Sequence, residues 1–504
     1  MFFKDLNLGF ADARREYIAL KGSFFKKTFV DNSNIIDSLL NTYSFLLCGS
    51  KGVGKTAVIS KLRSLSEQDP NLLVDAEDLL DFPYSTFSKT NTSSDTNGTQ
   101  KYKQSWDFLI YTSLLRVLFE RLPEKDIPKD FYKISNLLEN INVDIRKSTS
   151  KNEITSHSFF SDVSASLKSL KKFSFSVEAI GALDIELGNN SGITPGNYLD
   201  RINMLNNLLV NCIARFVLNG KKIFLTIDGL DDVLRFKINQ QDIIASLIRS
   251  AANVNDTFLE QGIDIKVVLS ARSDLLGIIN DPDLNKIYQD GRIDINWSNN
   301  NEDLKKVLEL RFSYSGYSRD NLFNLWYEFF PQKIHEKDSW SYLLERTLRK
   351  PRDVIQFLAT CKKMYPNKQH LDYKDFMSAI KSFGSDYLMN EMQNELSGFI
   401  EQQYITVLPT IFQSLGSYEF SNAKFSQKLN EQNIKGISDN KIKQLLLMLF
   451  ERSYVGQIIT SKGMHNKEFT NVIFKNRNPN NSIDYHKGFI THRGILQGLG
   501  VRFN

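Results

Sequence analysis

Cysteine and histidine are scarce in this chain, three and six among 504 residues. Cys48, Cys212 and Cys361 lack metal-type spacing, and so sparse and odd a set excludes a disulfide framework and points to a reducing cytoplasm. Six scattered histidines offer no ligand cluster. No apolar run approaches the roughly 18–20 residues that a membrane-spanning helix needs, so no membrane role is expected. The opening stretch, MFFKDLNLGFADARREY, carries charges where a secretory signal needs an unbroken apolar core. Net acidity is missing too. The formal charge is +5, and between Glu401 and Asn504 13 Lys and Arg face 7 Asp and Glu. The remainder, 50 against 51, is nearly neutral. A basic last fifth invites an anionic partner. The length exceeds a single hydrophobic core, so roughly two to four domains are expected.

What is present begins with YSFLLCGSKGVGKTAVISKLRSL, which reads strand, Gly-rich turn, amphipathic helix. Gly49, Ser50, Lys51, Gly52, Val53, Gly54, Lys55 and Thr56 match GxxxxGK[ST] without a mismatch. Glycines let the backbone wrap round phosphates with its N–H groups turned inward, where a Cβ would block the approach. Lys55 is suited to neutralise β- and γ-phosphates, and Thr56 to place its hydroxyl on Mg²⁺. The helix start at Gly54 adds its own positive end, and Ala57 completes the expected ATP contacts. A chance Gly/Lys turn would lack the flanking strand and the helical spacing of Val58, Ile59, Leu62 and Leu65.

A second motif follows about 170 residues later. IFLTIDGLDDVL is near-continuously apolar over Ile223–Ile227, as a parallel strand buried on both faces should be. It stops at three acids, Asp228, Asp231 and Asp232. Asp228 is the candidate to hold Mg²⁺ through water, with a plain helix N-cap as the alternative. Asp231 and Asp232 are candidates to polarise the attacking water, Asp232 being preferred. A glutamate directly after the strand acid is the commoner arrangement, and Gly229 stands there instead.

LLVDAEDL, IDIKVVLSARSD and RIDINW read as further strands alternating with helices, which predicts a doubly wound parallel α/β sheet of the P-loop NTPase kind. Ligands then sit at the carboxyl ends of the strands. The expected ATPase core spans 1–300, with an insertion over about 85–197. Within it, STFSKTNTSSDTNGTQ reads as a polar loop and KKFSFSVEAIGALDIEL as a hairpin. A helical lid without strands is expected over 301–384, where Pro351 suits the first turn of a helix and puts Arg349 and Arg352 around its start. The last part, 385–504, resembles a basic winged helix. Ser438 would cap its third helix, GQIIT and TNVIFKN would be wing strands, and RNPNNS the wing tip. Lys441, Lys443, Lys475 and Arg477 are its candidate DNA phosphate contacts, with a solvated charged face or protein docking as alternatives.

In this order, the two motifs, the strand ending in Ser270–Arg272, the lid with its KPRD and the basic tail make the chain resemble bacterial P-loop ATPases of the AAA+/STAND branch. The layout is similar to origin-recognition-type ATPases. FFKKTFVDNSNIIDSLLNTYSFLLCGSKGVGKTAV and FITHRGILQGLGV look like a family with some relatives in defence or mobile-element regions. The resemblance implies nucleotide and Mg²⁺ binding at Lys55 and Thr56, a Walker B role for Asp228, and sensor roles for Arg272 and Arg352. Gly229 fits the STAND-like pattern better than the standard AAA+ one. Two functions are open. One is an ATPase driving lid and winged-helix movement on DNA, with a place in phage defence. The other is a slow ATP/ADP-controlled switch that assembles with itself or a partner effector protein. Arg292 and Arg311 are possible arginine fingers.

Overall fold

Five strands form the sheet that the sequence predicts: β1 (Leu46–Gly49), β2 (Leu72–Asp78), β3 (Lys222–Asp228), β4 (Ile265–Arg272) and β5 (Arg292–Asp294). Their order is β2-β3-β4-β1-β5, and every neighbouring pair is parallel. Ile223 to Ile227 are all buried. Such a strand needs apolar cover on both faces, and each such side chain stabilises the fold by about 1.5–3 kcal/mol when fully buried. Helices supply that cover. The Gln241–Glu260 helix is fastened to β4 by Asn255, whose Nδ2 donates to Val267 O at 3.0 Å while its Oδ1 accepts from Val267 N at 2.7 Å. The Gln100–Arg121 helix, inside the expected insertion, lends Trp106, whose Nε1 donates to Ile243 O at 3.0 Å.

The computed structural model describes residues 1–20, 22–80, 82–90, 100–146, 158–170, 198–230, 241–277, 279, 281, 283–298, 301–317, 325–434, 436–462 and 468–501. The chain divides into two compact units, one of residues 34–49 and 61–294, the other of 1–33, 50–60 and 295–504. The first holds the sheet. The second gathers the N-terminal segment and residues 50–60, which hold the phosphate-loop motif from Ser50 onward, with everything after Asp294. The expected hairpin over Lys171–Leu187 lies outside the described residues. The expected polar loop starts instead as helix, Tyr84–Thr90, and its residues 91–99 also lie outside them.

In the second unit the helices over the expected lid include Asn301–Tyr314, Pro351–Met364 and Tyr373–Ser382. A small hairpin of β6 (Lys333–Ile334) and β7 (Lys337–Asp338) corrects the expectation of no strands here. Its turn residues His335 and Glu336 both have positive φ, a conformation that two-residue hairpins favour but that this residue pair does not advertise. The lid core is aromatic: Trp326 stacks on Phe330 at 4.0 Å and meets Trp340 edge-on at 5.1 Å. Phe3 packs edge-on against Phe329 at 5.5 Å, which ties the N-terminus to this unit.

The C-terminal part combines helices with a small antiparallel sheet. Helices Gln402–Ser414, Asn422–Asn430 and Asp439–Glu451 accompany β8 (Glu419–Phe420), β9 (Val455–Lys462), β10 (Glu468–Ile473) and β11 (Phe489–Thr491). The strands pair antiparallel in the order β10-β9-β11-β8. Ser438 caps the third helix, and Ile442, Leu445, Leu446, Leu449 and Phe450 are all buried. RNPNNS is not the tip of the β9–β10 hairpin, because it follows β10 and leads toward β11. Among the described residues, no helix is long and apolar enough to cross a membrane.

Candidate functional site

The loop between β1 and the Lys55–Ser66 helix has the backbone its glycines permit. Gly52 and Gly54 have φ of +86° and +102°, values that side-chain-bearing residues avoid. Val58 N donates to Gly54 O at 3.0 Å, so the helix grows directly out of the turn. Lys55 opens that helix and is buried, its Nζ donating to Ser50 O at 3.3 Å. Thr56 and Ala57 follow it in the first turn. Trp297 Nε1 holds the loop from outside by donating to Val53 O at 2.8 Å.

The start of the Pro351–Met364 helix lies against this loop. Arg352 N donates to Gly52 O at 3.4 Å, and a Cβ on Gly52 would stand 3.3 Å from Arg352 Cβ. Lys51 Nζ lies 3.1 Å from Glu391 Oε1, and Arg352 Nη1 lies 3.5 Å from the same oxygen. Sequence reasoning brought Arg352 here but missed Glu391, which no motif marks. Asp353, one residue on, is buried; its Oδ2 accepts from Leu348 N at 2.8 Å and its Oδ1 from Tyr387 OH at 3.0 Å. Burial pushes its carboxyl up to about 6, against the pull of Lys350.

In the sheet unit the candidate acid Asp228 ends β3 in register with Asp78, which ends β2. Asp78 was not singled out from the sequence; a second parallel strand ending in an acid was the available signal. Leu79 N donates to Asp228 O at 2.9 Å, and Asp78 Oδ1 accepts from Leu80 N at 2.9 Å. This turn explains Gly229. Its φ is +86°, and a Cβ there would lie 2.4 Å from Asp78 Oδ1 and 2.8 Å from Leu80 N. A glutamate at this position would collide with the neighbouring strand end. Asp231 and Asp232 lie outside the described residues.

Gly49 and Arg272 are register partners at the carboxyl ends of β1 and β4, so the sheet brings these two expected residues together. The Arg272 guanidinium is buried and forks onto Asp274, with Nε 2.9 Å from Oδ1 and Nη2 2.6 Å from Oδ2. Arg292 is engaged by Asp294 at 2.7 Å. Arg311 is corrected as a finger: it is buried, donating to Leu8 O at 3.0 Å and Val307 O at 3.1 Å, with Glu16 at 3.4 Å. Among the described residues no group of three or more His, Cys, Asp or Glu is arranged to hold a metal ion.

The tail cations are more engaged than their sequence suggests. Lys441 pairs with Glu401 at 2.6 Å, and Lys475 pairs with Glu451 at 3.2 Å. Lys443 lies over the Tyr485 ring at 5.8 Å. Arg477 is half-buried over Phe474, and burial together with the nearby Arg349 charge lowers its pKa to about 10.

Residues 302–392 match the family FunZ_C, described as the FunZ-associated C-terminal helical domain. No curated protein matches the chain. Among solved structures, the chain is similar to the Aeropyrum pernix ORC2 protein (ADPNP-ADP complexes) at 10% identity and a TM-score of 0.38, over 98% of this chain and 94% of that one. It is similar to Cdc6p from Pyrobaculum aerophilum at 12% identity and a TM-score of 0.32, over 89% and 93%. Drosophila ORC bound to DNA follows at 10% and 0.24, over 96% and 94%. At such scores the likeness carries nothing about function, which has to be argued from the chain's own residues.

Proposed function

We propose that the chain binds and hydrolyses Mg·ATP and that nucleotide state is passed to the lid and C-terminal region. The observation that carries this reading is the contact of the lid at Arg352 with Gly52 inside a complete phosphate-loop motif. The loop's positive-φ glycines and buried Lys55 fit a polyphosphate, and Thr56 and Asp228 are the residues that would hold Mg²⁺. When bound, the metal would neutralise charge developing on the phosphates. Asp231 or Asp232 would orient the attacking water, Arg272 and Arg352 would sense the nucleotide, and residues 1–300, 301–384 and 385–504 would serve as core, lid and docking domain. Gly229 favours a slow, switch-like cycle, because the usual base has no room beside Asp78. Phage defence belongs to this proposal through the resemblance, with destructive chemistry left to a partner effector protein.

Lys55→Ala should abolish Mg·ATP binding, since Lys55 is the motif's cation for the β- and γ-phosphates. Asp228→Asn should retain binding and lose hydrolysis. Isothermal titration and phosphate release read the two effects; parent-like binding by Lys55→Ala, or parent-like turnover by Asp228→Asn, sinks the corresponding assignment.

A second reading, DNA docking by the C-terminal region, is favoured by its surplus of six cations. Reversing Lys441, Lys443, Lys475 and Arg477 to Glu should weaken binding to unrelated duplexes about equally. The parent's affinity should fall with salt by a log–log slope of about −0.9 per phosphate contact. Fluorescence anisotropy that finds no binding by the parent at low salt would leave the protein-switch reading alone.

A further inference from the structure

Two acids that no motif marks connect the phosphate loop to the C-terminal domain. The Met389–Leu396 helix carries Glu391 and Glu395 one turn apart, hence on one face. Glu391 Oε1 takes Lys51 of the loop at 3.1 Å and Arg352 of the lid at 3.5 Å. Glu395 engages a different set of partners. Its Oε1 takes Lys350 Nζ at 3.3 Å, its Oε2 accepts from Tyr454 OH at 3.1 Å, and its backbone carbonyl accepts from Arg452 Nε at 3.1 Å. Lys350, Glu395, Arg452 and Tyr454 are all buried. Tyr454 immediately precedes β9, so this short helix touches the loop at one acid and the C-terminal sheet at the other. The helix follows a π-helical turn, Phe383–Leu388, whose Tyr387 reaches Asp353. Such turns interrupt the regular hydrogen-bond ladder and often mark functional joints.

We infer that Glu391 is a positioning residue that restrains the loop's affinity for nucleotide, and that its helix reports nucleotide binding to the β9 end of the C-terminal sheet. The inference rests on the ATP reading above. Lys51 and Arg352 are attracted by the phosphates of a nucleotide in the loop and by the Glu391 carboxylate alike. Carboxylate and phosphates repel one another and compete for the same two cations, a conflict relieved by drawing the cations away from Glu391 or displacing its helix. Either response is felt at Glu395, one turn along a rigid element, and there the side chain and carbonyl are fixed to Tyr454 and Arg452. Two sites that bias one element in this way are coupled reciprocally.

The test uses the full chain. Mg·ATP and Mg·ADP are titrated calorimetrically into the parent, Glu391→Gln and Glu391→Asp, with thermal melts alongside. Removing the charge while keeping the shape should tighten ATP binding by about fivefold or more, within the usual range of coupling between sites. Glu391→Asp should return toward the parent. A merely structural Glu391 predicts the reverse, with the Gln variant weaker. In a second arm, hydrogen exchange is followed at the amides of β9 with and without ATP. Tyr454→Phe, which keeps every charge, should shift ATP affinity less than Glu391→Gln does and should diminish the response at β9. If the parent binds ATP but Glu391→Gln binds equally or less tightly, this inference alone is overturned. If the parent's β9 amides ignore ATP, the reporting half falls. If the parent binds no ATP, the ATP reading fails and the inference falls with it.

Discussion

Glu77 in the sheet unit and Glu395 in the second unit are both buried carboxylates, yet their surroundings differ in kind. Glu77 accepts from Arg116 Nη2 at 3.0 Å, Ser113 Oγ at 3.0 Å and Phe160 N at 3.4 Å, all on helices that cover the sheet. The same guanidinium also serves Asp75 at 2.8 Å, so two acids share one cation. Burial pushes Glu77 up to about 7 despite Arg116. Around Glu391 and Glu395 the balance is reversed: two acids face Lys51, Lys350 and Arg352, and one of those cations belongs to the phosphate loop. Charge in the first cluster fastens fixed elements. In the nucleotide reading proposed above, charge in the second would be exchanged with a phosphate-bearing ligand.

The largest effect should come from breaking the fixed cluster. Arg116→Met leaves Glu77 buried without its ion-pair partner and should cost about 3 kcal/mol at pH 7.5. The loss should shrink at pH 5, where Glu77 takes up a proton. Arg352→Met in the exchangeable cluster should cost less than about 1 kcal/mol, because its guanidinium is partly exposed and Glu391 keeps Lys51. Urea unfolding of the two variants makes the comparison; equal losses would erase the contrast.

Gly229→Ala comes next. A methyl group there meets Asp78 Oδ1 and the Leu80 amide, and alanine must also adopt φ near +86°. About 2 kcal/mol of stability should be lost, typical for a strained backbone position. An unchanged melting temperature would mean that the strand end relaxes freely, and the account of Gly229 would go with it.

Much of this was legible before any coordinates. The phosphate loop announces itself through glycine positions that only a wrapped backbone requires, and β3 through a run that only burial on both faces explains. The third C-terminal helix was legible to the residue, since Ile442 to Phe450 follow one helical face. Asp78 and Glu391 were not. Asp78 matters only because register sets it beside Asp228, and parallel register is decided by residues far away in sequence. Glu391 sits in an ordinary polar helix, MNEMQNEL, and acquires its role from Lys51, 340 positions earlier. The tail misled in the opposite direction. Charge counting cannot foresee that Lys441 and Lys475 each find a carboxylate of their own.

A last effect, graded and bounded per pH unit, sharpens the comparison through pH. Burial raises Glu77 from 4.5 to about 7, so its contribution is full below pH 4.5 and is lost as pH rises toward 7. His492, in the other unit, behaves in the opposite sense. Burial, reinforced by Arg477, Arg346 and Arg493, lowers it from 6.5 to about 3. Its neutral ring contributes fully above pH 6.5, and that stability is lost as pH falls toward 3. Between pH 4.5 and 6.5 the two groups have slopes of opposite sign, each bounded by about 1.4 kcal/mol per pH unit. Glu77→Gln should therefore gain on the parent as pH rises from 5 to 8. His492→Gln should gain on the parent as pH falls from 7 to 5, even if the lost cap to Gly494 N lowers its stability throughout. Melting temperatures of the three proteins across pH 5 to 8 supply the slopes. Parallel curves for parent and Glu77→Gln would show that the Glu77 proton is not linked to folding, and the contrast between the clusters would then rest on geometry alone.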